Sequence, residues 1–387
     1  DLIVVSPGVP LDIPFFKKAY KKKIPVISEV ELAYKLTKAK IVAITGTNGK
    51  TTTTSLTGNI FKNSNINGEV KVAGNIGIPL IQVVTELKEE DWVIAEISSF
   101  QLETIKKFKP YISVFLNFTP DHLDRHKTKE NYFNAKKNIF KNQTKNDLAV
   151  VNFDDKEVLK AVKDCEAKVF GVSLKNKVKN GVYINQKNIV VNLDGKKEDF
   201  ISLKDIPIRG KHNEMNVAFA VLISRLAGIE KNIIKKEIME FKPARHRMEE
   251  IKTDSKFLII DDSKATNPDA AIKALETMQK PVVLIAGGQD RNADFENLSR
   301  VINKKVKTLI LIGETKNKIK NETLKTGFKN ILTVDNMKEA VNKGIKELNR
   351  DECLLLSPGC PSWDMYSSYE ERGNLFQKEV KNIIKKS

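Results

Sequence analysis

The chain has 387 residues, 41% hydrophobic and 30% charged, with a formal charge of +17 from 66 Lys+Arg against 49 Asp+Glu. That length exceeds one ordinary core and leads to an expectation of two to three domains, and no apolar run approaches the ~20 residues of a membrane span. The charge fits a nucleic-acid partner, an anionic substrate or a lysine-rich composition, but runs such as Lys17–Lys18 and Lys21–Lys23 lack aromatic interleaving and no RNA-binding or zinc-finger motif occurs, so no nucleic-acid partner is expected.

Residues 2–5 (LIVV) form a short apolar run ended by Ser6-Pro7-Gly8, followed by a Lys-rich amphipathic stretch at 14–23 and an apolar run at 24–27. This predicts a strand–helix–strand piece too small to stand alone. The chain lacks an initiating Met and opens on Asp1-Leu-Ile-Val-Val, so further sequence is expected upstream. Residues 40–45, a Gly-containing turn and a helix over about 50–63 predict the opening of a parallel α/β unit. Buried strands are expected at 92–97 and 111–116, and short strands with Asn and Gly turns over 168–203 read as hairpins on one edge. Helices are expected near 213–227 and 231–239, and Phe241-Lys-Pro-Ala244 reads as a linker. Beyond it, apolar runs at 257–261, 281–288, 308–313, 331–334 and 352–359 alternate with helical stretches, the pattern of a doubly wound domain.

The segment Ile44-Thr45-Gly46-Thr47-Asn48-Gly49-Lys50-Thr51 lies between a predicted strand and helix, where a phosphate loop belongs. Glycines let backbone N–H groups converge on phosphate, the helix N-terminus adds positive potential, Lys50 reaches terminal phosphates and the Thr51 hydroxyl can bind Mg²⁺. Ile44 stands where the general motif has its first glycine, and the alternative is a ligand-free turn. Glu96 ends a buried strand, where a carboxylate in an open α/β sheet points at bound ligand, or else is merely a solvated strand-end acid. Asn117, Asp121 and His122 follow the next strand. Only four histidines are present, so oxygen ligands must dominate, favouring Mg²⁺, with Mn²⁺ as the alternative, over zinc. Cys165, Cys353 and Cys360 have no metal-ligand or disulfide spacing, which fits a reducing cytoplasm.

With GTNGKTT, Gly74-Asn75-Ile76-Gly77, Glu96-Ile-Ser-Ser-Phe-Gln-Leu-Glu103 and Asp121-His-Leu-Asp-Arg125 in this order, the sequence resembles the Mur ligases, in the branch that adds D-glutamate. Gly210-Lys-His-Asn213-Glu-Met-Asn216, His246-Arg247, Asp262-Ser-Lys-Ala-Thr-Asn267, Gly287-Gly288, Ser357-Pro-Gly-Cys-Pro-Ser-Trp-Asp364 and Tyr369-Glu-Glu-Arg-Gly373 extend the match to the C-terminus. The resemblance implies an α/β protein with three parts. Residues 1–35 would be the remnant of an N-terminal UDP-binding domain, 36–243 a central P-loop-type ATPase domain with a parallel sheet, and 244–387 a C-terminal Rossmann-like domain.

It also implies an ATP-dependent ligase of peptidoglycan precursor synthesis. UDP-N-acetylmuramoyl-L-alanine would be activated as an acyl phosphate, under two Mg²⁺ and with ATP between the central and C-terminal domains, and then coupled to D-glutamate. Gly46, Thr47, Asn48, Gly49, Lys50, Thr51 and Thr52 would cradle ATP, Asn213 and Asn216 would face adenine, Arg247 a phosphate and Asp262 the ribose. Thr51 and Glu96 would hold one metal, and His122 with Lys136 a second, Lys136 matching a family lysine carbamylated by CO₂. That reaction needs a neutral amine, which burial can supply; an ordinary exposed helix lysine is the alternative, and Lys137 lies beside it. Ser6, Asn75 and His122 would touch the muramoyl substrate. Lys264, Thr266, Arg291, Ser362, Trp363 and Tyr369 would cradle D-glutamate, with Arg291 in place of a common lysine. Lys50, Glu96, His122 and Lys136 are the expected catalytic set, in a cytoplasmic monomer. Two other readings are a ligase of the same fold with another acceptor and a non-catalytic nucleotide-binding fragment lacking the UDP site.

Overall fold

The computed structural model describes residues 1–75, 77–208, 210–242, 245–253 and 257–384, except the side chain of Asp124. Pro243 and Ala244 of the expected linker, Ile76 and the Asp124 side chain therefore lie outside the described residues. Two compact units form, Asp1–Lys242 and Pro243–Ser387.

In the first unit, β1 (Ile3–Val5) and β2 (Val26–Ser28) pair in parallel around the helix Pro14–Lys21. The main sheet contains β3 (Lys40–Thr45), β4 (Val70–Gly74), β5 (Trp92–Glu96), β6 (Ile112–Phe115), β7 (Leu148–Asn152), β8 (Lys168–Ser173), β9 (Gly181–Asn185), β10 (Asn188–Leu193) and β11 (Lys196–Ser202). Their spatial order is β11-β10-β9-β8-β7-β6-β3-β5-β4. Successive side chains of a strand point to opposite faces, so β3 feeds two cores. Val42 and Ile44 meet Leu56, Ile60 and Val217 from the helices Lys50–Lys62 and Lys211–Leu226, whereas Ile41 and Ala43 meet Val93, Phe115 and Tyr132. Covering both faces leaves β3 nearly all apolar, as buried parallel strands are.

One expectation is corrected. β8 is not part of a hairpin but runs parallel to both β7 and β9; the antiparallel pairs of this sheet are β9 with β10 and β10 with β11. The hairpins occur where the turn residues accept positive φ, at Gln186 and at Asp194-Gly195. Residues 174–180 have no such turn and carry the chain back beside β8.

The second unit holds β12 (Glu249–Glu250), β13 (Leu258–Asp261), β14 (Val282–Ala286), β15 (Val306–Leu311), β16 (Ile331–Thr333) and β17 (Cys353–Leu356), in the order β12-β13-β17-β14-β15-β16. All pair in parallel except β12 with β13. Helices cover both faces, with Leu284 and Leu309 in one core and Val283 and Ile310 in the other. Among the described residues, no helix is long and apolar enough to cross a membrane.

Candidate functional site

The turn after β3 depends on a glycine where it enters the helix. Gly49 caps the helix Lys50–Lys62 in the left-handed region (φ 85°), and a Cβ there would collide with the Asn216 side-chain oxygen. Glycine alone meets both demands. Asn216 also accepts from Thr53 Oγ1 at 3.4 Å and donates to Asn213 Oδ1 at 3.2 Å, so both asparagines of the helix Lys211–Leu226 join the loop network. Lys50 Nζ donates to the carbonyls of Gly46 and Thr47 at 2.9 Å each. Its ammonium thus lies folded over the loop that an anion would fill.

Two residues after β6 hold the loop in shape. Asn117 Oδ1 accepts from Asn48 N–H and Asn117 Nδ2 donates to Asn48 O, both at 2.9 Å. Thr47 Oγ1 donates to Thr119 O at 2.9 Å and accepts from Thr119 N–H at 3.1 Å. Sequence reasoning placed Asn117 near the site without a role. Its signal was the spacing from the strand end, not its chemistry.

Glu96, at the end of β5, is only 3% exposed, so it is no solvated strand-end acid. Asn75 Nδ2 donates to its Oε1 at 2.8 Å, while Oε2 is buried without a hydrogen-bond partner among the described residues. Gly74 (φ 105°) brings Asn75 there, since a Cβ on it would strike the Glu96 carbonyl. A buried carboxylate oxygen left unpaired costs roughly 1–3 kcal/mol or more, which a divalent cation relieves. The donor set, Glu96 with the Thr51 hydroxyl at the start of the helix, is hard oxygen and fits Mg²⁺.

Lys136 and Lys137 part company in the structure. Lys137 reaches Asp164 at 3.3 Å on the surface. Lys136 is 1% exposed, donates to Gly46 O at 2.8 Å and lies 4.8 Å over the Tyr132 ring. Burial, then the Lys50 charge, holds its amine well below the usual lysine range, against the opposing pull of Asp121 and Glu96. Tyr132, one turn earlier on the helix Lys129–Lys137, donates its hydroxyl to Thr47 Oγ1 at 3.3 Å, and burial keeps that hydroxyl protonated.

His122 stands in the left-handed region (φ 52°), its N–H donating to Asp121 Oδ1 at 2.8 Å and its ring edge-on to Phe100 at 5.0 Å. Beside it lies a cluster sequence reasoning missed, in which His126 contacts Ser99, Glu103 and Phe100. Ser6 is exposed after β1, and among the described residues no contact ties its side chain to the loop.

In the second unit, Asp262 is buried after β13 and accepts from Ser357 Oγ at 2.8 Å and Met248 N–H at 3.2 Å. Burial pushes its carboxyl up to about 7, against the pull of Arg247. Among the described residues, Arg247 Nε is buried without a hydrogen-bond partner. His246, Glu249 and Asp261 converge like metal ligands, but their atoms are engaged. His246 Nδ1 meets Asp261 Oδ2 at 2.7 Å, Gln377 Nε2 donates to the same oxygen at 2.8 Å, and Glu249 Oε2 accepts the His246 N–H at 2.7 Å. This network braces the flanks of Arg247 and Asp262. Lys264 Nζ donates to the Tyr369 hydroxyl at 3.2 Å, and the Arg291 guanidinium lies 4.6 Å over the exposed Trp363 ring. Ser362 is buried and Thr266 half-buried.

The Mur ligase middle domain matches residues 44–224 and the Mur ligase, glutamate ligase domain matches 246–360. The "UDP-N-acetylmuramoylalanine--D-glutamate ligase" of Thermoanaerobacter sp. (strain X514) is 46% identical over 385 residues, 99% of this chain and 84% of that protein. The protein of the same name from Clostridioides difficile (strain 630) is 44% identical over the same shares. In fold, the chain is similar to MurF from Acinetobacter baumannii (TM-score 0.71, 17% identity, 92% of this chain and 79% of that one). It is also similar to the Thermotoga maritima MurF ligase in complex with ADP (TM-score 0.66, 19% identity, 96% and 92%). The two domain matches span the loop, the Glu96 carboxylate and Arg247 described above, and with this identity over nearly its whole length the chain belongs to the Mur ligase family of ATP-dependent ligases.

Proposed function

We propose that this protein adds D-glutamate to UDP-N-acetylmuramoyl-L-alanine at the expense of ATP, by way of an acyl phosphate. In this reading the loop 46–49 and Lys50 receive the triphosphate, with Thr51 and Glu96 around one Mg²⁺ and His122 with Lys136 around a second. The ions, when bound, neutralise charge between phosphoryl donor and acceptor. The observation that carries the reading is the buried, unpartnered Glu96 oxygen in the strand pairing directly with β3, whose end forms the phosphate loop.

Lys136 would serve as a carbamate. Its neutral amine adds to CO₂, an N–C bond forms and a proton leaves, replacing a cation by an anionic oxygen donor; the depressed amine supports this. Asn213 and Asn216 are assigned to adenine, Arg247 to phosphate and Asp262 to ribose. Ser6 and Asn75, with His122, are assigned to the muramoyl substrate. Lys264, Thr266, Arg291, Ser362, Trp363 and Tyr369 are assigned to D-glutamate, whose carboxylates suit the two cations.

Phosphate release tests the proposal, with the 387-residue chain, ATP, Mg²⁺, UDP-N-acetylmuramoyl-L-alanine and a panel of amino acids. Release is expected to require D-glutamate, and Lys50→Ala is expected to lower it by about 10²-fold or more, the usual cost of one electrostatic donor. Equal release with L-alanine or a diamino acid, or an unimpaired Lys50→Ala protein, overturns it.

A further inference from the structure

We infer that His126 is a positioning residue that fixes the His122 ring by locking the turn after β5 to the turn after β6. The inference rests on the assignment of His122 as a metal ligand.

The turn after β5 is the helix Ser99–Leu102, whose Ser98 and Gln101 form a reciprocal capping box. That cap sets Ser99 and Glu103 four residues apart on one side of a single helical turn. His126, 5% exposed, spans the two: its Nε2 lies 2.9 Å from Ser99 Oγ and its Nδ1 3.2 Å from Glu103 Oε1. The carboxylate accepts, so Nδ1 carries a proton and the Ser99 hydroxyl adjusts to Nε2. Glu103 Oε2 takes Arg125 at 2.9 Å, a second tie to the same helix, Leu123–His126.

Phe100 completes the lock. Its ring stacks on His126 (5.2 Å, 18°), takes the Arg125 guanidinium at 5.2 Å and meets His122 edge-on (5.0 Å, 70°). Tyr132 backs both imidazoles, at 5.2 Å from His126 and 6.1 Å from His122. Finally, the His126 N–H donates to His122 O at 2.9 Å, so the locked residue holds the backbone of the one it positions. His122 needs that support, since its backbone stands in the left-handed region (φ 52°), which is unfavourable for a residue with a Cβ. Only an imidazole can stack on Phe100 while presenting polar atoms at opposite edges to a hydroxyl and a carboxylate.

The test uses Mn²⁺ with a non-hydrolysable ATP analogue and the whole chain. Mn²⁺ stoichiometry and affinity are read by electron paramagnetic resonance, and imidazole ligation by the ¹⁴N coupling to bound Mn²⁺. His126→Phe keeps the stacking and removes both polar contacts. It is expected to bind the nucleotide and first Mn²⁺ as the parent does, to bind the second about tenfold or more weakly, as loss of an outer-shell partner does, and to lose the ¹⁴N coupling. Ser99→Ala removes one hydrogen bond without disturbing packing and is expected to weaken the second Mn²⁺ by a smaller factor. Parental Mn²⁺ titration and coupling in His126→Phe, or in Ser99→Ala should the first variant not fold, overturn the inference. Absence of ¹⁴N coupling in the parent removes the assignment of His122 itself, and the inference with it.

Discussion

Removing the Asn117 side chain tests whether the phosphate loop is shaped in advance of its ligand. Asn117 contributes two side-chain hydrogen bonds to Asn48, one to its N–H and one to its carbonyl, both at 2.9 Å. At about 1 kcal/mol net each, Asn117→Ala loses about 2 kcal/mol of loop order, which is close to a 30-fold change in an equilibrium constant. The backbone bond from Thr47 N–H to Asn117 O survives, and Asn117 is only half-buried. The loop can therefore open without unfolding the unit, and the loss falls on nucleotide binding rather than on melting. Isothermal titration with ADP and Mg²⁺ should show affinity weaker by about 30-fold, with thermal melting nearly unchanged. Asn117→Asp should be weaker still, because it keeps the acceptor, loses the donor and adds a negative charge beside phosphate. An Asn117→Ala protein binding within about threefold of the parent would refute the preorganised loop.

Three further changes probe the rest. Lys136→Arg cannot form a carbamate, so ¹³C-bicarbonate should give a carbamate resonance in the parent and none in the variant; a silent parent refutes that role. Asp262 loses its proton near 3.8 when unfolded and near about 7 when folded, so unfolding releases a proton between those values and stability falls as pH rises through that window. Asp262→Asn should flatten that part of the melting-temperature profile, and superimposable profiles would sink the argument. Glu31 is fully buried and accepts the N–H groups of Lys106 at 2.8 Å, Lys107 at 2.9 Å and Phe108 at 2.8 Å, tying the helix Glu29–Leu36 to that turn. Glu31→Gln turns an amide donor toward donors and should cost on the order of 3 kcal/mol. The first unit's melting should drop by about 6–12 °C, and a drop below about 2 °C contradicts the anchoring role.

What was legible in the sequence was local. The glycines of 46–49, the lysine and threonines behind them, and the acid ending an apolar run all state their chemistry within a few residues. The clean strand–helix alternation after residue 257 likewise needs no distant partner to be read. Less visible were β4, a half-buried edge strand, and β7, five residues long and bounded by no glycine or proline. The direction of β8 was misjudged because parallel and antiparallel pairing depend on where the connection returns, not on the strand's own residues.

The composition and motif order by themselves pointed to an α/β chain with a glycine-containing strand-to-helix loop, because those follow from covalent neighbours. Only tertiary structure decided which of two adjacent lysines is buried: Lys136 and Lys137 differ by about 100° around one helix, and the sheet on one side of it turns one side chain into a buried amine beside Gly46 and leaves the other facing Asp164. The same holds for Asn117, His126 and Arg372. Arg372 is 1% exposed and held by Ser263 Oγ and by the carbonyls of Ser263 and Cys360, partners up to 109 positions away, and no sequence-local rule brings such distant groups into contact.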